Sequence, residues 1–453
     1  MTSDRRITLG AFVTSSGVHA TSWRLPEVVV TSPPSFETYK RVVRKLEAGC
    51  VDTVFMNDSI GHPDVEPSQI ARDTSAVRWD PMTLLAALAV VTERIGLTAT
   101  ANTTYNDPYS LARRLASLDL LTNGRAGWNC VTAVHSGENF NFDTHVPHAQ
   151  RYARAEEFVD VITSLWDSWE DDALVADKAT GLWIDPAKMH ILNHKGTHFN
   201  VRGPLNSPRP PQGYPVIAQA GSSDAGRALA ARTAEVIFTA AQTIDECLAF
   251  TADLAARAGK FGRGREAFRV LPGVQVTVAE TDAEARRKFD RLNDLNDPIS
   301  RLKQISTLIN IGIDLSEYPL DGPVPLPDVI PETNNHRSRQ KLVVDLIRRQ
   351  NPTIRELLRE LSATGHRVLI GTPARIADDF EEWFASGACD GFNIMFPEMV
   401  SSVDDFVDLV VPELQRRGVY RTRYEGVTLR DHLGLARPEN RFSARHAAAS
   451  DVA

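Results

Sequence analysis

Eight short apolar runs recur along the chain, each separated from the next by a longer stretch. The runs are 7–13, 51–56, 95–101, 124–131, 215–219, 236–238, 269–278 and 391–396. Between them, 35–48, 82–92, 108–121, 151–169, 220–232, 244–258, 373–386 and 403–417 carry apolar side chains three and four positions apart, the period of a helix with one buried face. Leu111, Leu115 and Leu118 behind Pro108 and Asp107 are one example. Strands joined through helices cannot form hairpins and must pair in parallel. Eight strand–helix units therefore predict an α/β fold closed as a (β/α)8 TIM barrel, with a doubly wound open sheet as the alternative.

Three segments, about 59–80, 170–213 and 290–365, exceed ordinary connection lengths. They are expected to be insertions at the C-terminal face of a single barrel over 1–437, with 438–453 a flexible tail. The 58 acidic against 50 basic residues leave a net charge of −8, which argues against nucleic acid as a partner. The longest apolar run, 84–91, falls far short of the ~20 residues that span a bilayer. The N-terminal MTSDRRITLGAF has no long apolar stretch, so no signal peptide and a cytoplasmic location are expected. Cys50, Cys130, Cys247 and Cys389 are scattered without a CxxC pair and read as free thiols.

In a barrel of this kind the chemistry lies at the C-terminal ends of the strands. That rule selects Asp58, Asn102, Thr103, Trp128, Asn129, Ser222 and Ser223, each of which is either a ligand contact or a turn and cap residue. Gly221-Ser222-Ser223-Asp224 precedes a helix, where N–H groups and hydroxyls suit a phosphate, and Asp224 is the expected N-cap. His148 and Tyr152 stand four apart at a helix start after Pro147 and share a face. They suit an anion or a ring edge, or form a capping cluster. His190, His194 and His198 recur every four residues, but Gly196 among them reads as a hairpin rather than a metal-binding helix. HExxH, Walker A, GxSxG and a post-strand GxGxxG are all missing from the sequence. An enzyme of this kind needs a borrowed cofactor.

Four blocks carry a resemblance: NDPYSLARRLASLDLLTNGRAGWNCVT (106–132), RYARAEEFVDVITSLWDSWEDDA (151–173), VRGPLNSPRPPQGYPVIAQAGSSDAGRALAARTAEVIFTA (201–240) and GFNIMFPEMVSSVDDFVDLVVPELQRRGVYRTRYEG (391–426). Together they resemble the nitrilotriacetate monooxygenase component A and dibenzothiophene-sulfone monooxygenase family of bacterial-luciferase-like, FMN-dependent monooxygenases. The resemblance runs from about residue 7 to 435. It implies a luciferase-like barrel that uses O2 as co-substrate with reduced FMN (FMNH2) supplied by a separate NAD(P)H:FMN reductase, and a homodimer or homotetramer.

Position by position, the resemblance puts flavin contacts on Asp58 (with Asn57 where the family has Ala), Asn102 and Thr103, His148 and Tyr152, and Ser222 and Ser223. It implies a C4a-(hydro)peroxyflavin that oxidises a small organic substrate, by aminopolycarboxylate N-dealkylation or organosulfur oxidation. His148 and Tyr152 are the catalytic candidates, with His148 placed to hold the flavin or manage a proton. Phe12, His19 and Trp23, at and after the first strand, are candidates for the substrate pocket. Arg24, Arg72 and Arg78 are candidates to receive a carboxylate or sulfonate. The alternatives are a deazaflavin- or flavin-dependent oxidoreductase of the same fold without oxygen insertion, and a metal-dependent barrel hydrolase using the three histidines.

Overall fold

The computed structural model describes residues 5–30, 35–62, 70–72, 74–333, 337–363 and 365–443. Its centre is a parallel sheet of β1 (Thr8–Val13), β2 (Thr53–Met56), β3 (Gly96–Asn102), β4 (Ala126–Val131), β5 (Val216–Gln219), β6 (Val236–Thr239), β7 (Arg269–Val278), β8 (Arg367–Gly371) and β9 (Gly391–Met395). β1 pairs with β9, β9 with β7, β7 with β6, and so on back through β5, β4, β3 and β2 to β1. Eight strands thus close a ring, which settles the barrel over the open sheet.

β8 is a ninth strand that the periodicity did not separate from the insertion before it. β7 has ten residues and β6 four. Once β6 ends beside Pro272, Val274–Val278 of β7 presents an unpaired edge, and Arg367–Gly371 fills it. The three central residues of β8 are half-buried, so no inward–outward alternation marks it as barrel wall.

Around the ring lie α1 (Phe36–Ala48), α2 (Pro81–Ala89), α3 (Pro108–Leu121), α4 (His148–Trp166), α5 (Asp224–Thr233) and α6 (Ile244–Gly259). After β7 come α7 (Asp282–Asp294), α8 (Pro298–Ile309), α9 (Arg337–Gln350), α10 (Ile354–Glu360) and, beyond β8, α11 (Pro373–Ala385). A final helix over 401–416 contains a π turn at Phe406–Val410. Starts follow the local chemistry: Asp80 and Asp107 cap α2 and α3, each just before a proline at the first helical position.

The main core fills the space between strands and helices. A second cluster inside the barrel joins Phe55, Val216, Val236, Phe238, Leu271 and Met395 to Leu429, Leu433 and Leu435. Leu429 donates its N–H to the Gly124 carbonyl at the start of β4, so the C-terminal segment plugs the N-terminal end of the barrel. The opposite mouth stays open to ligands. A third cluster, including Leu302, Ile305, Val343, Ile347 and Leu357, gives the insertion after β7 a core of its own.

The insertion at 170–213 folds as two antiparallel hairpins, Leu174–Asp177 with Leu182–Ile184 and His194–Lys195 with Asn200–Val201. It leaves α4 at the N-terminal end of the barrel and lies along α3 and α4 through Tyr109 Oη to Pro204 and Arg209 to Asp167, not over the C-terminal mouth. Beyond 437, Asn440 and Arg441 bond to Asp167, and 444–453 lies outside the described residues. No helix among the described residues is long and apolar enough to cross a membrane. All four cysteines are free and buried.

Candidate functional site

The C-terminal ends of β2 to β6 enclose a cavity of about 330 Å3. One end is built to hold an anion. α5 begins there, and Ser223, not Asp224, is its N-cap: the Ser223 hydroxyl accepts from Gly226 N at 3.1 Å. Asp224 is instead exposed and paired with Arg257, leaving Ser222 and Ser223 at the cavity wall where α5 begins. The turn is tight. A Cβ on Gly226 would stand 2.9 Å from the Gly221 carbonyl carbon, and one on Gly221 would stand 3.3 Å from Tyr152 Oη. Tyr152 therefore reaches from α4 to the start of α5.

His148, Arg151 and Tyr152 share the first face of α4, and all three line the cavity. The His148 and Tyr152 ring centroids are 4.8 Å apart. Arg151 is buried and donates to His145 Nε2, while its own Nε has no partner. With Nε2 accepting, the His145 proton lies on Nδ1 and points to Tyr105 Oη at 2.7 Å. Burial, reinforced by Arg151, pushes His145 down to about 4, so this neighbour adds no second positive charge at neutral pH. Arg151 was not singled out from the sequence, although it lies between His148 and Tyr152 in the same helical turn.

The other end suits a planar ring. Asn129 donates Nδ2 to Thr100 Oγ1 at 2.8 Å and keeps a buried, unpartnered Oδ1. Gln219, at the end of β5, likewise has a buried, unpartnered Oε1. Unmatched buried acceptors are costly unless a ligand donates to them. Phe12, Phe55 and Phe238 form an aromatic triangle beside them, with centroids 5.7–6.0 Å apart. Gln219 and Phe238 carried no motif of their own; adjacency to the Ala220-Gly221-Ser222-Ser223 turn was the available signal for Gln219.

Asp58 lines the wall after β2, its carboxyl raised by burial and by Asp80, with Arg78 opposing. Asn102 also lines the cavity, but its Oδ1 is used on Tyr105 N at 2.8 Å, so its amide nitrogen is the group left for a ligand. Thr103 is fully buried, hydrogen-bonded to the Val131 carbonyl, and does not line the cavity. Trp128 faces the helices and donates to the Ala101 carbonyl. His19 is buried outside the cavity, against Thr21, and is held down to about 4 by burial and then by Arg301. Trp23 is exposed in an outer hollow with Arg24 and Arg72. His190 and His194 are separated onto Glu170 and Glu157 by the hairpins.

A family model described as luciferase-like monooxygenase matches residues 15–390. The chain is 50 % identical over 450 residues to nitrilotriacetate monooxygenase component A of Aminobacter aminovorans, covering 97 % of this chain and 99 % of the relative. It is 46 % identical over 452 residues to N-acetyl-S-(2-succino)cysteine monooxygenase of Bacillus subtilis (strain 168), covering 98 % and 100 %. Among solved structures, a riboflavin lyase with modified FMN and its substrate riboflavin superposes with a TM-score of 0.82 at 30 % identity, covering 98 % of this chain and 99 % of the other.

Proposed function

The chain belongs to the luciferase-like monooxygenase family, and on that footing we propose that it is the oxygenating component of a two-component system, oxidising an aminopolycarboxylate or organosulfur substrate. It is a flavin-dependent monooxygenase that uses reduced FMN and O2. The word component in the relative's name fits a division of labour in which a separate NAD(P)H-dependent reductase supplies the reduced flavin.

One observation carries the reading: a single cavity has an anion-binding end and a ring-binding end. FMN has a phosphate at one end and a hydrogen-bonding ring at the other. Bound reduced flavin supplies the oxygen-activating chemistry. Ser222, Ser223, the first N–H groups of α5 and Arg151 hold the phosphate, in the manner of anions at helix N-termini. Asn129 and Gln219 meet the ring's N–H edge with their unpartnered oxygens. Phe12, Phe55 and Phe238 keep water from that end, because stray water and protons divert such chemistry to hydrogen peroxide. His148 and Tyr152, with ring centroids 4.8 Å apart, are the proton-carrying side chains that α4 presents to the cavity.

The test is anaerobic titration with reduced FMN, followed by oxygen and a substrate panel in the presence of a flavin reductase. Saturable binding, and oxygen uptake matched by product, are expected. Reoxidation of the dihydroflavin at the rate found in protein-free buffer, with no saturable binding, would refute the proposal.

A further inference from the structure

Six arginines are buried among the described residues. Arg209, Arg367, Arg421 and Arg430 each meet a carboxylate. Arg125 spends its guanidinium on main-chain carbonyls and the Thr92 hydroxyl. Arg151 is the exception. Among the described residues it meets no carboxylate, its Nε is buried without a partner, and its guanidinium is held by the His145 imidazole. Of the six, it is also the one that lines the cavity at the ends of β2 to β6. A desolvated guanidinium without a counter-charge is costly, and a ligand that brings the charge relieves the cost.

The groups that hold Arg151 do not line the cavity themselves. His145 Nε2 accepts from Arg151, and His145 Nδ1–H donates to Tyr105 Oη at 2.7 Å. Tyr105 is fixed in turn. Its ring stacks on Phe140, 4.8 Å between centroids and 6° between planes, and Phe142 packs on it at 5.3 Å. A Cβ on Gly137 would stand 2.8 Å from Tyr105 Oη, so a glycine lets this loop close on the hydroxyl. The Tyr105 N–H meanwhile donates to Asn102 Oδ1 at 2.8 Å. One residue thus sets two side chains of the cavity wall, Asn102 directly and Arg151 through His145.

The chemical identity of the holder matters. A carboxylate in place of the imidazole would orient Arg151 as well and cancel its charge. A neutral acceptor orients it and leaves the charge to a ligand. Burial, then Arg151 itself, keeps His145 neutral at pH 7. Glu138 acts on His145 more weakly and does not pair with Arg151.

We propose that His145, braced by Tyr105, is the positioning residue that makes this cavity selective for a phosphorylated flavin over the unphosphorylated one: it fixes Arg151 at the cavity wall without spending the guanidinium charge, which is kept for the phosphate. The proposal rests on the reduced-FMN reading above and adds the means by which the phosphate is recognised. Riboflavin, with a neutral hydroxyl where FMN has its phosphate, leaves Arg151 unmatched and is selected against.

The experiment is anaerobic titration of the full chain with reduced FMN and with reduced riboflavin, for wild type and two variants of equal shape. His145→Gln offers Arg151 a neutral acceptor and Tyr105 a donor, and is expected to keep most of the preference for FMN. His145→Glu offers Arg151 a carboxylate, and is expected to weaken FMN by about tenfold or more while riboflavin stays within about twofold. A purely structural role would move both flavins together. If His145→Glu fails to fold, Tyr105→Phe, which keeps the ring on Phe140 and removes the hydroxyl, and Gly137→Ala, which displaces that hydroxyl, decide; each is expected to weaken FMN by about fivefold or more with riboflavin nearly unchanged. Equal affinity of wild type for the two flavins, the same FMN-to-riboflavin ratio in the Glu and Gln variants, or equal loss of both flavins would overturn the proposal while leaving the flavin reading intact. Failure of wild type to bind either flavin would refute the flavin reading and this proposal with it.

Discussion

Replacing Gly226 with alanine is expected to cut the affinity for reduced FMN about tenfold or more while leaving the protein folded. The new Cβ would lie 2.9 Å from the Gly221 carbonyl carbon and oxygen and 3.0 Å from its Cα, all backbone atoms that have no rotamer to escape into. Ordinary contact begins near 3.4 Å, so the turn must retreat by roughly 0.5 Å. Gln219 Nε2 and Tyr152 Oη, 3.2 and 3.3 Å from where a Cβ on Gly221 would stand, crowd the same turn. Overpacking costs about 1–3 kcal/mol, and the gain from alanine in a helix returns up to about 1 kcal/mol, leaving a net loss of roughly 0–3 kcal/mol. The ligand suffers more, because the displaced Gly221-Ser222 turn carries donors to a charged group. Losing one such hydrogen bond costs about 1.5–3 kcal/mol, or about 10- to 100-fold in affinity. Anaerobic titration monitored by flavin absorbance measures the affinity, and urea unfolding measures the stability. A folded Gly226→Ala protein that binds reduced FMN within twofold of wild type would refute the placement of the phosphate at this turn.

Three further outcomes follow from the same structure. Ser222→Ala should weaken reduced FMN with little effect on stability, whereas Ser223→Ala should also cost about 1 kcal/mol in urea melts through the lost cap of α5; equal stabilities would show that Ser223 is not the cap. Gly259→Ala, where no atom lies within 4 Å of the added Cβ, should raise stability by about 0.5 kcal/mol without touching flavin affinity; a loss would contradict the open space at the end of α6. His19→Gln tests pH linkage. The unfolded imidazole binds a proton below about 6.5, while burial and Arg301 delay the folded one to about 4, so wild type loses stability as pH falls through that window. Its urea-melt stability relative to His19→Gln should therefore drop by about 2 kcal/mol from pH 7 to pH 5; a constant gap would show that His19 titrates normally.

Local chemistry determined much of this protein. Apolar runs of strand length alternating with helical period admit few folds besides a parallel barrel, and a proline after an aspartate starts a helix wherever it lies. Asp58, Asn102, His148, Tyr152 and Ser222 could be marked because strand ends and helix starts are properties of neighbouring residues, and the folded chain brings them to one cavity. What lay beyond reach depends on closure. β8 exists only because β7 outlasts β6, a matter of register between strands distant in the chain. Asp224 and Ser223 both look like caps until the backbone chooses one. Arg78 could be marked as an anion candidate from the sequence, but Arg301 and Arg339, more than 200 residues further along the chain, each resemble any surface arginine when read alone. That all three line one chamber, and that Arg339 donates to His366 where it stacks on Phe238, comes from tertiary packing, because electrostatic and steric coupling act through space while sequence patterns record only neighbours along the chain.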